Sequence, residues 1–348
     1  MFRVFGIVLS FLLALALAGW ALAVSVGPRA LADGIELYQY RQYFDRILGD
    51  TAPRATRPMV VWLGDSTIMG GERPSYPQLL RGQLHRKNAD SLVIAGAAFD
   101  PYIYYFAVGR VIERLNPSVV IMVAHLAAFS PRGSARIFRY NDLSSYITPA
   151  QLPRAFLLPL AERELSPARL LLAQALNFDG PKRIFFGAEG LRELYAKAPF
   201  WAALGPPRPP RVFNPRMRDT LTSYNVRVSR RQPTVRMLEA AVRVVTEAGR
   251  VAMVIATPIP HEALATRAWH DPAKMQQGFD VLREVVEGAG GMFVDLHRLL
   301  PQREFADYGG HFAATGAQHM SYAVWPMVRE ALRRASLAHT ADGTGTPG

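Results

Sequence analysis

Ser66 stands where a catalytic nucleophile would be expected. It follows the apolar run Met59–Leu63, which is typical of a strand, and completes the sequence Gly64-Asp65-Ser66. In a parallel sheet, ligands bind just beyond the carboxyl ends of the strands, so a serine at this point would be exposed at the binding edge. A short helix starting next would direct its unpaired N–H groups to the same point and stabilise an oxyanion. The tripeptide alone is equally compatible with an Asp/Ser helix cap.

A serine hydroxyl needs a base, and the far end of the chain offers one. His311 lies after the last predicted strand and before a closing helix predicted at Ala317–Ala335, so its loop should reach the same sheet edge. We expect His311 to accept the Ser66 proton, while Asp307 holds the imidazole through Nδ1 and stabilises its positive form. The alternatives are that His311 is a solvated loop histidine, or that His319 in the closing helix is the base.

These two stretches resemble the SGNH (GDSL) hydrolase superfamily. Its first block is GDS with the catalytic serine, and its last is Asp-x-x-His followed by an apolar residue and then a glycine. His311, Phe312 and Gly316 fit that last block. Asp307 lies four residues before the histidine instead of three, and a bulge at Gly309-Gly310 could absorb the extra residue. Without that bulge, the resemblance implies a Ser–His dyad or a different acid.

The middle blocks of this superfamily supply oxyanion donors, normally a glycine and an asparagine. The resemblance places the second block after the predicted strand Ser91–Ile94, where Gly96 is the candidate. The third block follows the predicted strand Ser118–Val123, where His125 stands in place of asparagine. A neutral histidine can donate one hydrogen bond, so the implied oxyanion hole consists of the Ser66 N–H, Gly96 and His125. Simple packing at the strand end is the alternative for His125.

The apolar pattern predicts the frame that positions these residues. Besides the three strands above, apolar runs at Arg250–Ala256 and Gly291–Asp295 have the composition of buried strands. Helical periodicity occurs at Ile103–Leu115, Thr234–Ala248 and Pro272–Gly288. Continuous apolar strands that alternate with helices indicate a parallel sheet covered on both faces. We therefore predict an SGNH hydrolase-like, three-layer α/β/α sandwich with a parallel sheet of about five strands.

The amino-terminal segment indicates export. The stretch from Val4 to Val26 is apolar or small and uncharged, and it has the roughly 20 residues that a membrane-spanning helix needs. Ala21-Leu22-Ala23 could instead be a signal-peptide cleavage site. We assign residues 1–27 to a transmembrane anchor or signal segment. This predicts a single-pass protein of the cell membrane whose catalytic domain lies in the periplasm or otherwise outside the cytoplasm.

The rest of the chain divides into three parts. Residues 28–58 are predicted to form a connecting helix and linker, and residues 59–337 the hydrolase-like domain. Within that domain, residues 131–232 form a helical insertion, which is either a lid over the carboxyl edge of the sheet or a plain structural addition. Residues 338–348 are small and polar, and we expect a disordered tail.

The composition excludes several classes of chemistry. The absence of cysteine removes disulfides, thiolate metal sites and cysteine nucleophiles. The net charge of +12 comes from scattered arginines without a basic block interleaved with aromatics, so we expect no nucleic-acid partner. A solvated basic surface is the simplest explanation, and attraction to an anionic envelope is second. The eight histidines lack metal-ligand spacing and no phosphate-loop motif occurs, so no metal and no cofactor are expected.

Taken together, the residues predict a serine-dependent ester hydrolase or acyl transferase. The resemblance is strongest to exported, anchored members, such as the D-alanyl transfer protein of teichoic-acid modification and the proteins of alginate O-acetylation. It implies an acylated cell-envelope glycan or related ester as substrate, and a membrane-bound O-acyltransferase as partner.

Two other functions stay open at this point. The missing asparagine and the four-residue acid spacing favour a non-catalytic SGNH-like accessory protein, which would bind an envelope polymer or the acyltransferase. A flavodoxin-like module that binds phosphate at Gly64–Thr67 is also compatible with a doubly wound sheet. That second alternative leaves the arrangement of Asp307 and His311 unexplained.

Overall fold

A five-stranded parallel sheet forms the centre of the described structure. The computed structural model describes residues 57–69, 74–96, 99–129, 226–266, 270–307 and 310–341, together with Leu48 and Tyr224. The strand order is β2-β1-β3-β4-β5, and every neighbouring pair is parallel. The strands are β1 (Met59–Gly64), β2 (Asp90–Ala95), β3 (Val119–Ala124), β4 (Val251–Ala256) and β5 (Met292–Asp295).

These strands have continuous apolar sequences because both faces of the sheet are covered. Along β1, Val61 and Leu63 belong to one buried cluster, whereas Val60 and Trp62 belong to a cluster on the opposite face. Every residue of β3 is buried. Side chains alternate between faces along a strand, so a strand buried on both faces needs apolar residues at successive positions.

Helices cover both faces. The described helices are α1 (Tyr76–Arg86), α2 (Pro101–Leu115), α3 (Pro233–Glu247), α4 (His261–Ala265), α5 (Pro272–Gly288) and α6 (Ala314–Ala341). Apolar residues of α2, α3 and α5 join the cluster on one face, and those of α1 and α6 join the cluster on the other. The predicted α/β class is thus confirmed, with a parallel five-stranded sheet flanked by helices.

Two helices differ from the sequence-based expectation. The pattern analysis did not identify α1, although Ser75 and Gln78 carry the signature of a helix start. The Gln78 side chain accepts a hydrogen bond from the Ser75 N–H at 2.8 Å, and a proline stands in the first turn. The closing helix α6 starts earlier than predicted and continues through Pro326 to Ala341, so residues 338–341 of the predicted tail are helical.

Several predictions concern residues outside the described ranges. These are the anchor or signal segment, nearly all of the connecting segment, residues 130–223 of the chain and residues 342–348. Leu48 of the connecting segment is helical and buried. At the end of the predicted insertion, Tyr224, Val226 and Val228 are buried in the same cluster as α2 and α3. Among the described helices, none combines the length and apolar character needed to cross a membrane.

Gly316 lies where α6 begins close to the segment before it. A Cβ atom at this position would lie 2.3 Å from the carbonyl oxygen of Glu304, a backbone atom that can move only with its segment. The glycine that fits the last sequence block is therefore required here by close packing.

We predict that Gly316→Ala lowers the free energy of unfolding by about 1–3 kcal/mol, because the added methyl group forces α6 away from Glu304. Gly288→Ala is the matched control. No atom lies within 4 Å of a Cβ built there, so alanine should be neutral or stabilise the end of α5 by at most about 1 kcal/mol. Urea unfolding of both variants measures the difference, and equal effects would contradict the close approach at Gly316.

Candidate active site

The turn after β1 presents Ser66. Its neighbour Asp65 is buried, and one carboxylate oxygen accepts hydrogen bonds from the Thr67 N–H at 2.9 Å and the Thr67 hydroxyl at 2.6 Å. The Ile68 N–H donates to the Asp65 carbonyl at 3.2 Å and closes the turn. At this point the chain makes a single turn with half-buried Ser66 at its corner, and residues 70–73 lie outside the described ranges.

A loop between β5 and α6 carries the other two predicted residues. Phe305 and Phe312 form an antiparallel bridge, and the Ala306 N–H donates to the His311 carbonyl at 2.7 Å. These contacts close a narrow loop with Asp307 on one side and His311 on the other. Gly310 has a φ of +89°, a conformation that glycine adopts without a steric penalty. Gly309, the other residue of the predicted bulge, lies outside the described ranges.

The structure brings Ser66, His311 and Asp307 together. Nε2 of His311 lies 2.8 Å from the Ser66 hydroxyl, although the two residues are 245 positions apart in the chain. Nδ1 of His311 lies 2.7 Å from one oxygen of Asp307, whose other oxygen accepts from the His311 backbone N–H at 3.3 Å. With neutral imidazole, Nδ1–H donates to the carboxylate and Nε2 accepts from the serine hydroxyl.

The surroundings of His311 favour its protonated form. Burial by itself would lower the pKa of this imidazole, but the hydrogen bond and charge of Asp307, together with the charge of Asp65, raise that pKa above its usual value. The imidazolium that forms on proton transfer from a serine is therefore stabilised by two carboxylates.

His319, the alternative base, has a different partner. Its Nδ1 lies 2.8 Å from the carboxylate of Glu304, a buried acid beneath the start of α6. The His319 side chain is itself exposed. The residue in hydrogen-bond contact with Ser66 is His311, so the pairing favours His311 over His319 as the base.

The N–H of Gly96, which the sequence analysis assigned to an oxyanion hole, has a backbone acceptor in the structure. The Gly96 N–H donates to the Gly64 carbonyl at 3.2 Å, because the β1–β2 ladder continues one residue past the last strand pair. That N–H has its acceptor and is not available to a substrate in this conformation. A Cβ at Gly96 would lie 2.2 Å from the Phe99 ring, which accounts for the glycine. By contrast, the Ser66 N–H has no acceptor among the described residues.

His125 is buried at the end of β3 and has an unexpected partner. Its Nε2 lies 2.7 Å from the hydroxyl oxygen of Tyr224, and the two rings meet edge to face with centroids 5.0 Å apart. Burial lowers the pKa of His125, aided by the charge of His311 and opposed by Asp65 and Asp307. His125 is therefore a neutral imidazole near neutral pH. The sequence analysis missed Tyr224, which lies 99 positions away and outside every recognised block.

A second group of histidines lies after β4 and β5, and one of them contacts Asp295. His297 pairs with Asp295 through Nδ1 at 2.5 Å. Nε2 of His261 lies 3.1 Å from the His297 carbonyl, and Nδ1 of His261 lies 2.9 Å from Nε2 of His270. Since a carbonyl only accepts, His261 donates through Nε2 and its Nδ1 accepts from His270. Within the described ranges, no cluster of three or more histidine or carboxylate side chains could hold a metal ion.

This arrangement predicts a pH-dependent contribution to stability. Burial and the neighbouring histidines lower the pKa of His261 to about 4, below the roughly 6.5 of an unfolded histidine. The unfolded chain therefore binds more protons between these two values, and the free energy of unfolding should fall as the pH decreases from about 6.5 to 4.

We expect His261→Gln to weaken that pH dependence, because glutamine keeps a donor and an acceptor but does not titrate. Urea unfolding at pH 7 and pH 5 measures the effect. His85→Gln makes the same substitution at an exposed position of α1, outside this group of histidines, and is the matched control. An unchanged slope in the His261 variant would show that the histidine group does not couple protonation to folding.

Comparison with known proteins adds little to this description. No protein-family model and no curated protein matches the chain. A solved structure from Streptococcus pneumonia, provisionally described as a platelet activating factor, is 11% identical in sequence with a TM-score of 0.41. The match covers 90% of this chain and 99% of the other. A similarity at this level carries no argument about function, so the function is argued from the site itself.

Proposed function

We propose that this protein is a serine-dependent ester hydrolase or acyl transferase with Ser66 as nucleophile and His311 as general base. One observation carries the proposal: the Ser66 hydroxyl, the His311 imidazole and the Asp307 carboxylate form a continuous chain of hydrogen bonds at 2.8 and 2.7 Å. Nucleophile, base and orienting acid within hydrogen-bond reach are the geometry that acyl transfer through a serine requires.

The first half of the reaction forms an acyl-serine. The Ser66 oxygen attacks the carbonyl carbon of an ester while its proton passes to Nε2 of His311. Asp307 keeps Nδ1–H directed towards itself and stabilises the imidazolium. As the tetrahedral intermediate collapses, His311 gives the proton to the departing alcohol oxygen, and the acyl group remains on Ser66.

The second half regenerates the serine. Water, or a sugar hydroxyl in the transferase case, attacks the acyl-serine carbonyl while His311 accepts its proton. The proton then returns to the Ser66 oxygen as the bond to the acyl group breaks, which releases an acid or a new ester. In both halves the negative carbonyl oxygen needs donors. We assign the Ser66 N–H as one of them, and Gly96 is not used.

The substrate and cellular location belong to the proposal as well. We propose that the ester is borne by an acylated cell-envelope glycan or related compound, and that the amino-terminal segment anchors an exported catalytic domain. A membrane-bound O-acyltransferase is the partner that the resemblance of the sequence blocks implies. The apolar stretch from Val4 to Val26 and the resemblance of the sequence blocks support this part of the proposal. Release of acetate from an acetylated envelope polysaccharide, compared with small esters, tests the substrate class.

The non-catalytic alternative keeps one specific argument. The N–H of Gly96 is engaged in the β1–β2 ladder, and no asparagine follows β3. An accessory protein could retain the fold and the triad yet lack sufficient oxyanion donors. Covalent labelling separates the two functions, because a fluorophosphonate reacts with an activated serine and not with an inert one.

We predict that a fluorophosphonate probe labels wild-type protein on Ser66. The Ser66→Ala variant should lose labelling, and its ester hydrolysis should fall by on the order of 10⁴–10⁶-fold, because no other group provides the nucleophile. Ser336→Ala removes an exposed hydroxyl on α6 and should behave as wild type. Full hydrolysis by Ser66→Ala would refute the mechanism, and a wild-type protein that is never labelled would favour the accessory role.

The rate should depend on pH through His311. The base must be neutral, and Asp307 and Asp65 raise its pKa, so kcat/KM should rise as the pH passes a value above about 6.5. Asp307→Asn removes one negative charge, so the pKa of His311 falls and the acidic limb shifts to lower pH. The rate itself should decrease by about 10⁴-fold, because the imidazole loses its orienting carboxylate.

A pH–rate profile from pH 5 to 9 measures both effects. Asp280→Asn makes the same chemical change on an exposed turn of α5 and is the matched control. An acidic limb that stays in place in the Asp307 variant would show that another group sets the protonation of the base.

A further inference from the structure

Tyr224 contributes a buried hydroxyl beside Gly310, the residue that precedes His311. Its ring is fully buried, and its hydroxyl oxygen lies 2.7 Å from Nε2 of His125. It precedes α3 and lies outside all of the blocks that supply the triad. A hydroxyl in such a place needs a hydrogen-bond partner when buried, and the partner here is a residue at the carboxyl end of β3.

Gly310 fixes where this pair lies. A Cβ atom built on Gly310 would be 2.8 Å from Nε2 of His125 and 2.9 Å from the Tyr224 hydroxyl oxygen. Gly310 is the residue immediately before His311, so both polar atoms face the loop that carries the base. Any side chain at position 310 would collide with them. The glycine thus leaves the pair in direct contact with the backbone of the catalytic loop.

The electrostatics keep the Tyr224 hydroxyl protonated. Burial raises its pKa well above the usual value, and the negative charges of Asp65 and Asp307 raise it further. The same two carboxylates act on His311, so Tyr224 lies within the electrostatic field of the site. A protonated phenol can donate one hydrogen bond and accept others. Its donor is therefore available to an acceptor whenever His125 does not take it.

The tautomer of His125 decides which way the Tyr224 donor points. Burial lowers the pKa of His125, so the ring is neutral and carries one N–H. If Tyr224 donates to Nε2, the ring proton of His125 lies on Nδ1 and the tyrosine has no donor left for a substrate. If instead Nε2–H donates to the tyrosine oxygen, the tyrosine O–H is free for another acceptor. A developing oxyanion favours the second arrangement, because hydrogen bonds to a charged acceptor are stronger than those to a neutral one.

We propose that the Tyr224 hydroxyl, held and polarised by Nε2–H of His125, is an oxyanion donor of this site. It would act together with the Ser66 N–H and make the hydrogen bond that the absent asparagine would otherwise supply. The hydroxyl donates without losing its proton, so no additional acid or base is needed. The inference rests on the proposed serine mechanism and names a substrate-contacting group for it.

The central experiment uses the Tyr224→Phe variant, which keeps the ring and removes the hydroxyl. Loss of an oxyanion donor should lower kcat by about 10²–10³-fold with little change in KM. The rate of fluorophosphonate labelling at Ser66 should fall in parallel, because the phosphonyl oxygen uses the same donors. Tyr104→Phe is the matched control: it removes a buried hydroxyl that donates to the Val123 carbonyl at 2.8 Å. That variant should lose stability and retain kcat.

Substitutions of His125 test the role of its hydrogen bond to Tyr224 without altering the tyrosine. His125→Ala removes the group that directs the hydroxyl and should lower kcat about as much as Tyr224→Phe. The double variant should be little worse than either single one, because both remove the same donor. His125→Gln offers a side-chain N–H in place of Nε2–H and should recover part of the lost rate. Thermal unfolding of each variant verifies that the folded protein is being compared.

The possible outcomes separate this inference from the proposed function. If Ser66→Ala is inactive while Tyr224→Phe and His125→Ala keep wild-type kcat, the serine mechanism stands and the donor role of Tyr224 is refuted. If these variants lose kcat only in proportion to a lost folded fraction, the pair is structural and the inference is again overturned. If wild-type protein is neither labelled nor active, the proposed function fails and the oxyanion role fails with it.

Discussion

The hydrogen bond between Ser66 and His311 depends on two separate constraints in the fold. The first is the parallel sheet, which brings the turn after β1 and the loop after β5 to the same edge although 245 positions separate the two side chains. The second is local, because the bridge between Phe305 and Phe312 holds the loop narrow enough for Asp307 to reach the imidazole. β1 lies between two paired neighbours and is nearly all buried, so the serine side of the contact is rigid. A contact of 2.8 Å between distant segments can persist only when both are fixed in this way.

Asp65 links the shape of the site to its electrostatics. Its side chain forms the turn through two hydrogen bonds from Thr67, and its charge raises the pKa of His311 on one side and of Tyr224 on the other. The two effects suit opposite needs of the proposed acyl transfer: His311 gains affinity for a proton, and the Tyr224 phenol keeps the proton of its hydroxyl. A carboxylate that is buried and engaged by Thr67 can exert this field without reorganising during the reaction.

The sequence predicted the parts of the site whose signals are local, and not those that depend on pairing. The strands were identifiable because their apolar runs are continuous, and Ser66 because it follows such a run at a carboxyl end. His311 was identifiable from its spacing to Asp307 and Gly316 in the loop after the last strand. The use of the Gly96 N–H was not predictable, since it depends on whether the β1–β2 ladder ends at one residue or the next. Tyr224 gave no signal at all, because a tyrosine 99 positions from its partner has no periodicity or spacing that marks the contact.

The pairing of His125 with Tyr224 also changes how the segment between β3 and α3 should be understood. An asparagine at the end of β3 would carry a donor of fixed identity, whereas a neutral imidazole has one N–H whose position depends on its partners. If the proposed oxyanion role is right, the donor strength of the site is set jointly by residue 125 and by a tyrosine supplied from beyond the sheet scaffold. The burial of Tyr224, Val226 and Val228 in the core beside α2 and α3 holds that tyrosine in place. The end of the predicted insertion is thus part of the packed domain and, on this argument, part of its chemistry.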